Sequence, residues 1–187
     1  SGANARSAEA KAWVNEARFD YFAGRNSGYE GLDAVHRRCI WYLKPYGGRE
    51  GVWFIRDVVE GAGEHEVRQH WRFAPGEIES DGESRTVRTR REDGNLLIRF
   101  HGPEAATLQM GRGVAVWESL TEVPTATWEC TTGIPVELLS ALMPYRGEAP
   151  DCAIVEMQTR GGGASAYRIE RGRDVFVVLF DASHDGA

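Results

Sequence analysis

The sequence predicts an all-β protein, an antiparallel sandwich of two large sheets with about ten to twelve strands. Three observations carry this. Apolar residues recur with a period of two along most of the chain. Runs rich in β-branched and aromatic residues alternate with Gly-, Pro- and Asp-bearing turn signals at a spacing of roughly 8–12 residues. The length, 187 residues, suits one domain around one core, so residues 1–187 read as a single sandwich.

The elements follow in order. Residues 12–22 (AWVNEARFDYF) form an aromatic-rich first run. Residues 34–44 (AVHRRCIWYLK) follow a Gly-rich link, and residues 52–59 (VWFIRDVV) lie between Gly-rich turns. Residues 64–74 alternate polar and apolar. Residues 86–91 and 95–101 flank Asp93-Gly94, a strong hairpin signal. Residues 114–119, 125–132, 153–159, 167–170 and 175–180 complete the series, with the Gly161–Gly163 cluster as a turn. Residues 134–143 (IPVELLSALM) read equally well as a short helix bounded by Pro135 and Pro144 or as an apolar strand.

Composition narrows the functional classes. The net charge is −6, which argues against a general nucleic-acid binder. No apolar run approaches the roughly 20 residues needed to span a membrane. Cys39, Cys130 and Cys152 are odd in number and far apart, with no zinc-type spacing. They read as buried free thiols, with one disulfide left open if the protein is secreted. The chain opens SGANARSAEA, without a Met. Residues 1–11 are therefore expected to be disordered or tag-derived, and the chain is expected to be part of a longer protein.

The densest chemistry is GEHEVRQHWRFAPG, residues 63–76. As a strand it alternates, so His65, Val67, Gln69, Trp71 and Phe73 share a core-facing side. Glu66, Arg68, His70 and Arg72 share the other. The two histidines point to opposite faces and cannot share one metal. In VWFIRDVV, Asp57 sits among Trp53, Ile55 and Val59. A carboxylate there needs a partner, and Arg37 or Arg38 on the preceding strand is the natural one. The expected outcome is an ion pair that fixes strand register. Arg85, Arg88, Arg90 and Arg91 make the one dense basic patch. His70, Arg72, Arg88 and Arg90 are the candidates for contacts to an acidic glycan, against the plainer reading of arginines paired with Glu83, Glu92 or Asp93. Trp41, Trp53, Trp71, Trp117 and Trp128 lie in strand contexts, as core or, if exposed, as sugar-stacking faces. Nothing assembles a nucleophile, a base and an orienting group, and no catalytic, metal or cofactor residue is assigned.

Two stretches, GYEGLDAVHRRCIWYLKP and VWFIRDVVEGAGEHEVRQHWRFAPG, carry a resemblance. Gly28, Tyr29, His36, Arg37, Pro45, Asp57, Gly61, Gly63, His65, Pro75 and Gly76, in this order and spacing, resemble the C-terminal β-sandwich of heparinase II/III-like polysaccharide lyases. The resemblance runs from about residue 17 to 181. It implies that residues 134–143 are a strand. It also implies a parent enzyme that cleaves uronic-acid-containing glycans by β-elimination, with an N-terminal α-helical toroid as intrachain partner and an acidic polysaccharide as substrate. A periplasmic or extracellular location is implied too. The family's catalytic Asn, Tyr and His and its His-x-His-x-Asp metal stretch have no match here. The resemblance therefore places them, with any divalent metal, upstream, and this chain alone is expected to be inactive. Where the family often has a second His before the Pro-Gly turn, this chain has Arg72. The alternative reading is a non-catalytic carbohydrate-binding or structural sandwich.

Overall fold

A computed structural model describes residues 8–29, 31–117, 119–160 and 164–181. Fourteen strands are found among them: β1 (Ala8–Asn15), β2 (Phe19–Asn26), β3 (Ala34–Leu43), β4 (Val52–Gly61), β5 (Glu64–Arg72), β6 (Glu77–Asp81), β7 (Thr86–Arg90), β8 (Asn95–His101), β9 (Thr107–Trp117), β10 (Ser119–Gly133), β11 (Val136–Tyr145), β12 (Cys152–Met157), β13 (Ala164–Arg171) and β14 (Asp174–Asp181). The described residues contain no helix.

The strands form three antiparallel sheets. An eight-stranded sheet runs β1-β2-β3-β4-β11-β8-β7-β6, and the orders β5-β10-β9 and β12-β13-β14 give two three-stranded sheets. The antiparallel all-β sandwich expected from the sequence is what forms, but its layers are one large sheet with a small sheet on each face. Strand parity builds both cores. In β11, Val136 and Leu138 face one side, while Leu139, Ala141 and Met143 face the other. The first side packs with Ile98, Phe100 and Val87 against Phe73, Ala126 and Trp128 of the β5-β10-β9 layer. The second packs with Phe54, Cys39 and Leu97 against Ile154, Tyr167, Ile169 and Phe180 of the β12-β13-β14 layer.

This explains the ambiguous segment 134–143. A strand buried on both faces carries no alternation, so its apolar run mimics a helix. β11 pairs with β4 on one side and β8 on the other.

Two local expectations are corrected. Residues 12–22 are not one strand, because the chain turns through residues 16–18 and splits the run between β1 and β2. Residues 8–11 belong to β1 and pair with β2, so within residues 1–11 the expectation of a disordered or tag-derived stretch fails for these four. Residues 1–7 lie outside the described residues, as do the Gly161–Gly163 turn and the Trp117 side chain.

The chain leaves the large sheet between β4 and β5 through Gly61-Ala62-Gly63. Gly61 has φ 145° and Gly63 φ 91°. A Cβ on Gly61 would lie 2.1 Å from the Asp33 carbonyl oxygen, so backbone occupies the space a side chain would take. The return crossing from β10 to β11 lies alongside, with the Ile134 N–H donating to the Gly63 carbonyl at 3.1 Å. This corner closes one end of the space between the large sheet and β5.

Candidate functional site

At that end lies a cavity of about 340 Å³ whose polar lining is Tyr29, His36, Arg38, Asp57, His65, Glu66, Arg68 and Gln69, with apolar walls from Leu32, Val59, Val67 and Leu138. Four of the positions that carry the sequence resemblance, Tyr29, His36, Asp57 and His65, therefore meet around one space.

Asp57 is its hub. Register places Arg38 opposite Asp57 on neighbouring strands and His36 two residues along, opposite Val59. The Arg38 guanidinium donates through Nε to Oδ1 at 2.6 Å and through Nη2 to Oδ2 at 2.8 Å. This two-point geometry matches a planar fork to a carboxylate. His36 Nε2 reaches Oδ1 at 2.6 Å, and Gln69 Nε2 donates to Oδ2 at 2.6 Å from the facing sheet. An ionised carboxylate only accepts, so His36 must carry its proton on Nε2. Gln69 is held in turn by Ser140 Oγ and Trp71 Nε1, which donate to its Oε1 at 2.5 and 3.2 Å.

Asp57 is 4% exposed, and burial alone pushes its carboxyl upward. The hydrogen bonds from His36 and Arg38, with the Arg38 charge, outweigh that and hold it below the ordinary carboxylate range. Arg38 is raised, chiefly by its hydrogen bond to Asp57. The Tyr29 hydroxyl is raised by burial and by the Asp57 charge, against the opposing effect of Arg38, so it stays a donor at neutral pH. The cavity thus presents a fixed imidazole, a partly exposed guanidinium and a phenol, a set suited to holding an anionic or hydroxyl-bearing group.

The remaining sequence candidates scatter. Arg37, named as a possible partner of Asp57, faces the opposite side of the sheet and donates to Glu60 at 2.9 Å. Arg88 and Arg90 share a face of β7, as alternation required, but both close on Glu79 of β6, at 2.8 and 2.6 Å. Glu79 thus takes the place expected for Glu83, Glu92 or Asp93. His70 lies on the outer face of β5, bonded through Nδ1 to Thr127 Oγ1 at 2.9 Å. Arg72 is exposed on the same face. These four do not converge.

Sequence reasoning missed His36, Gln69 and Ser140 as partners of the hub. Gln69 carried the one available signal, a polar residue in the core-facing set of its strand. It also missed a second buried cluster on the other face of the sheet. There Glu137 accepts from Arg56 Nη2 at 2.9 Å and Ser165 Oγ at 2.9 Å, and from the Tyr167 hydroxyl. Burial, with the Glu137 charge, keeps Tyr167 protonated. The cluster ties β13 to the large sheet.

All three cysteines are free. Burial pushes the Cys152 thiol up to about 12, which leaves it unreactive near neutral pH. Among the described residues no group of three His, Cys, Asp or Glu is placed to hold a metal. The His36–Asp57 contact does not fit one either, since its carboxylate is occupied by Arg38 and Gln69.

A layered all-β sandwich with a charged hub at one mouth defines the class of protein. No family model matches the chain, and no curated protein sequence does. Among solved structures, the chain is similar to heparan sulfate lyase HepC from Pedobacter heparinus, with a TM-score of 0.80 at 18% identity over 94% of this chain and 28% of that one. It is similar to a heparinase III gene product at TM-score 0.78 and 18% identity, over 93% of this chain and 27% of that one. A further heparinase III structure gives TM-score 0.78 at 13% identity. The chain thus has the fold of a portion of these lyases and spans little more than a quarter of their length. The heparinase II/III-like resemblance read from the sequence holds at the level of the fold.

Proposed function

We propose that this chain is the β-sandwich module of a heparinase II/III-like polysaccharide lyase that cleaves uronic-acid-containing glycans by β-elimination. One observation carries the reading: 94% of the chain superposes on part of a heparan sulfate lyase at TM-score 0.80. The agreement of Tyr29, His36, Asp57 and His65 around one cavity supports it.

β-Elimination at a uronate asks for three things. The carboxylate must be neutralised, a base must take the C5 proton, and an acid must protonate the leaving oxygen. This chain's contribution is positional. Asp57 holds His36 and Arg38 in fixed orientations, and the Tyr29–Arg38 edge lines one side of the substrate cleft. An N-terminal α-helical toroid of the parent supplies the other side and the reacting groups. In this reading the 187-residue chain binds at the cleft edge and does not turn substrate over alone.

The test is to incubate the isolated chain with heparan sulfate and alginate and follow the ultraviolet absorbance of unsaturated uronate. No product is expected. Steady turnover would overturn the claim that the reacting groups lie elsewhere.

A further inference from the structure

The face of the large sheet that carries Asp57 is only half covered. The core shared with the β5-β10-β9 layer draws its buried large-sheet members from β7, β8 and β11, and none of its described members from β1, β2 or β3. Beyond that layer the face is partly covered, and it is aromatic. Register sets Trp13, Phe22, Ile40 and Ile55 in one cross-strand row and Tyr42 and Trp53 in the next. Trp13 is 76% exposed. Tyr42 and Trp53 stack face to face, with ring centroids 4.2 Å apart and planes 7° from each other, which holds the indole in a fixed orientation with one face against Tyr42.

Between this stacked pair and the end of β5 runs a groove of about 690 Å³. Trp53, Ile40, Ile55 and Leu142 form its floor and Phe73 one wall. Among the described residues, Arg72 and Arg91 are the charged ones that line it and no carboxylate does, in a chain whose net charge is −6. Arg91 is held in place. Its Nη2 donates to the Pro75 carbonyl at 3.0 Å. Its backbone is tied at both ends by Asn95, through Arg91 N–H to Oδ1 at 2.8 Å and Nδ2 to the Arg91 carbonyl at 3.0 Å.

We propose that this groove is a second binding site, for an acidic saccharide. A pyranose ring lays its C–H face on the side of the Trp53 indole turned away from Tyr42, and its carboxylate or sulfate meets the Arg91 guanidinium, with Arg72 flanking. The size lies in the range of ligand pockets, which are mainly apolar with a few fixed polar groups. A planar guanidinium suits a two-oxygen anion. Arginines in a groove lined by no described carboxylate favour an anion over a neutral sugar or an apolar peptide. The site shares its ligand class with the function proposed above, but it rests on the groove and is separate from the Asp57 cavity.

Calorimetric titration of the chain with a heparan sulfate hexasaccharide tests it, with cellohexaose as the neutral control. Binding of the acidic oligosaccharide and none of cellohexaose is expected. Trp53→Ala and Arg91→Ala should each weaken binding by about tenfold or more. Trp53→Phe, which keeps an aromatic floor, should retain most of the affinity even if Trp53→Ala compromises folding. Arg90→Ala, at a side chain already closed on Glu79, should change nothing. Absence of binding, or undiminished binding in Arg91→Ala and in a folded Trp53→Ala, would overturn the proposal. So would concentration-dependent self-association abolished by Arg91→Ala, which assigns the groove to a second copy. A negative result here leaves β-elimination by a larger protein unaffected, and the converse holds equally.

Discussion

Arg38 and Asp57 stand directly opposite each other on β3 and β4, joined at both carboxylate oxygens over 2.6 and 2.8 Å. Arg37, one residue away, faces the other side of the sheet and meets Glu60. The neighbouring arginines therefore have unequal consequences. Asp57→Ala leaves the partly exposed Arg38 guanidinium, His36 and the buried Gln69 without their acceptor, and should cost about 2–3 kcal/mol. Arg37→Ala breaks a partly exposed pair and should cost no more than ~1 kcal/mol. Urea denaturation of the two variants measures both. An unchanged midpoint for Asp57→Ala would remove the register-fixing role.

The pH dependence follows from the same carboxylate. Its folded value lies below that of an unfolded aspartate. It therefore contributes stability that is fully present above the unfolded value of about 3.9 and is lost as pH falls through the lower folded value. Thermal melts of wild type and Asp57→Asn, taken from neutral pH to about pH 2, should show a difference that shrinks toward acid. A difference that stays constant over this range would assign the stability to packing.

Gly61 makes a backbone prediction. Its φ of 145° and the Asp33 carbonyl 2.1 Å from a would-be Cβ leave no room for alanine. Gly61→Ala should destabilise by more than about 2 kcal/mol. Gly94, in the β7–β8 turn with nothing within 4 Å of its would-be Cβ, should accept alanine within about 1 kcal/mol. Melting temperatures of the two variants test the contrast.

Among the described residues Trp128 is the largest fully buried side chain. It stacks on Phe100 at 5.7 Å and carries the Arg85 guanidinium 5.2 Å from its ring. Trp128→Ala should cost roughly 3–5 kcal/mol through the cavity it leaves between the large sheet and β10. Chemical denaturation should show the loss, and a smaller cost would mean that the layers collapse into the space.

Much of this was legible in the sequence because strand parity is local. The alternation in residues 64–74 placed Gln69 and Phe73 inward and His70 and Arg72 outward, as found. Asp57 declared its need for a partner because a carboxylate among Trp53, Ile55 and Val59 is costly to bury alone. Sequence could not choose between Arg37 and Arg38, since that choice depends on inter-strand register. Gln69 and Ser140, 71 residues apart, meet only when β5 crosses the large sheet, and no local pattern records that meeting. The layer count was hidden for a related reason. β12, β13 and β14 alternate as any half-buried strands do, whichever sheet they join. The split of residues 12–22 into β1 and β2 rests on residues 16–18, which hold neither Gly nor Pro to mark the turn.

The central claim is that this sandwich serves a glycan lyase. Its most direct test is to express the full gene product that contains this chain, supply heparan sulfate and other uronate glycans, and monitor unsaturated uronate by ultraviolet absorbance. The account predicts product from the full-length protein and none from the 187-residue chain. A full-length protein that yields no unsaturated product from any uronate glycan would contradict it.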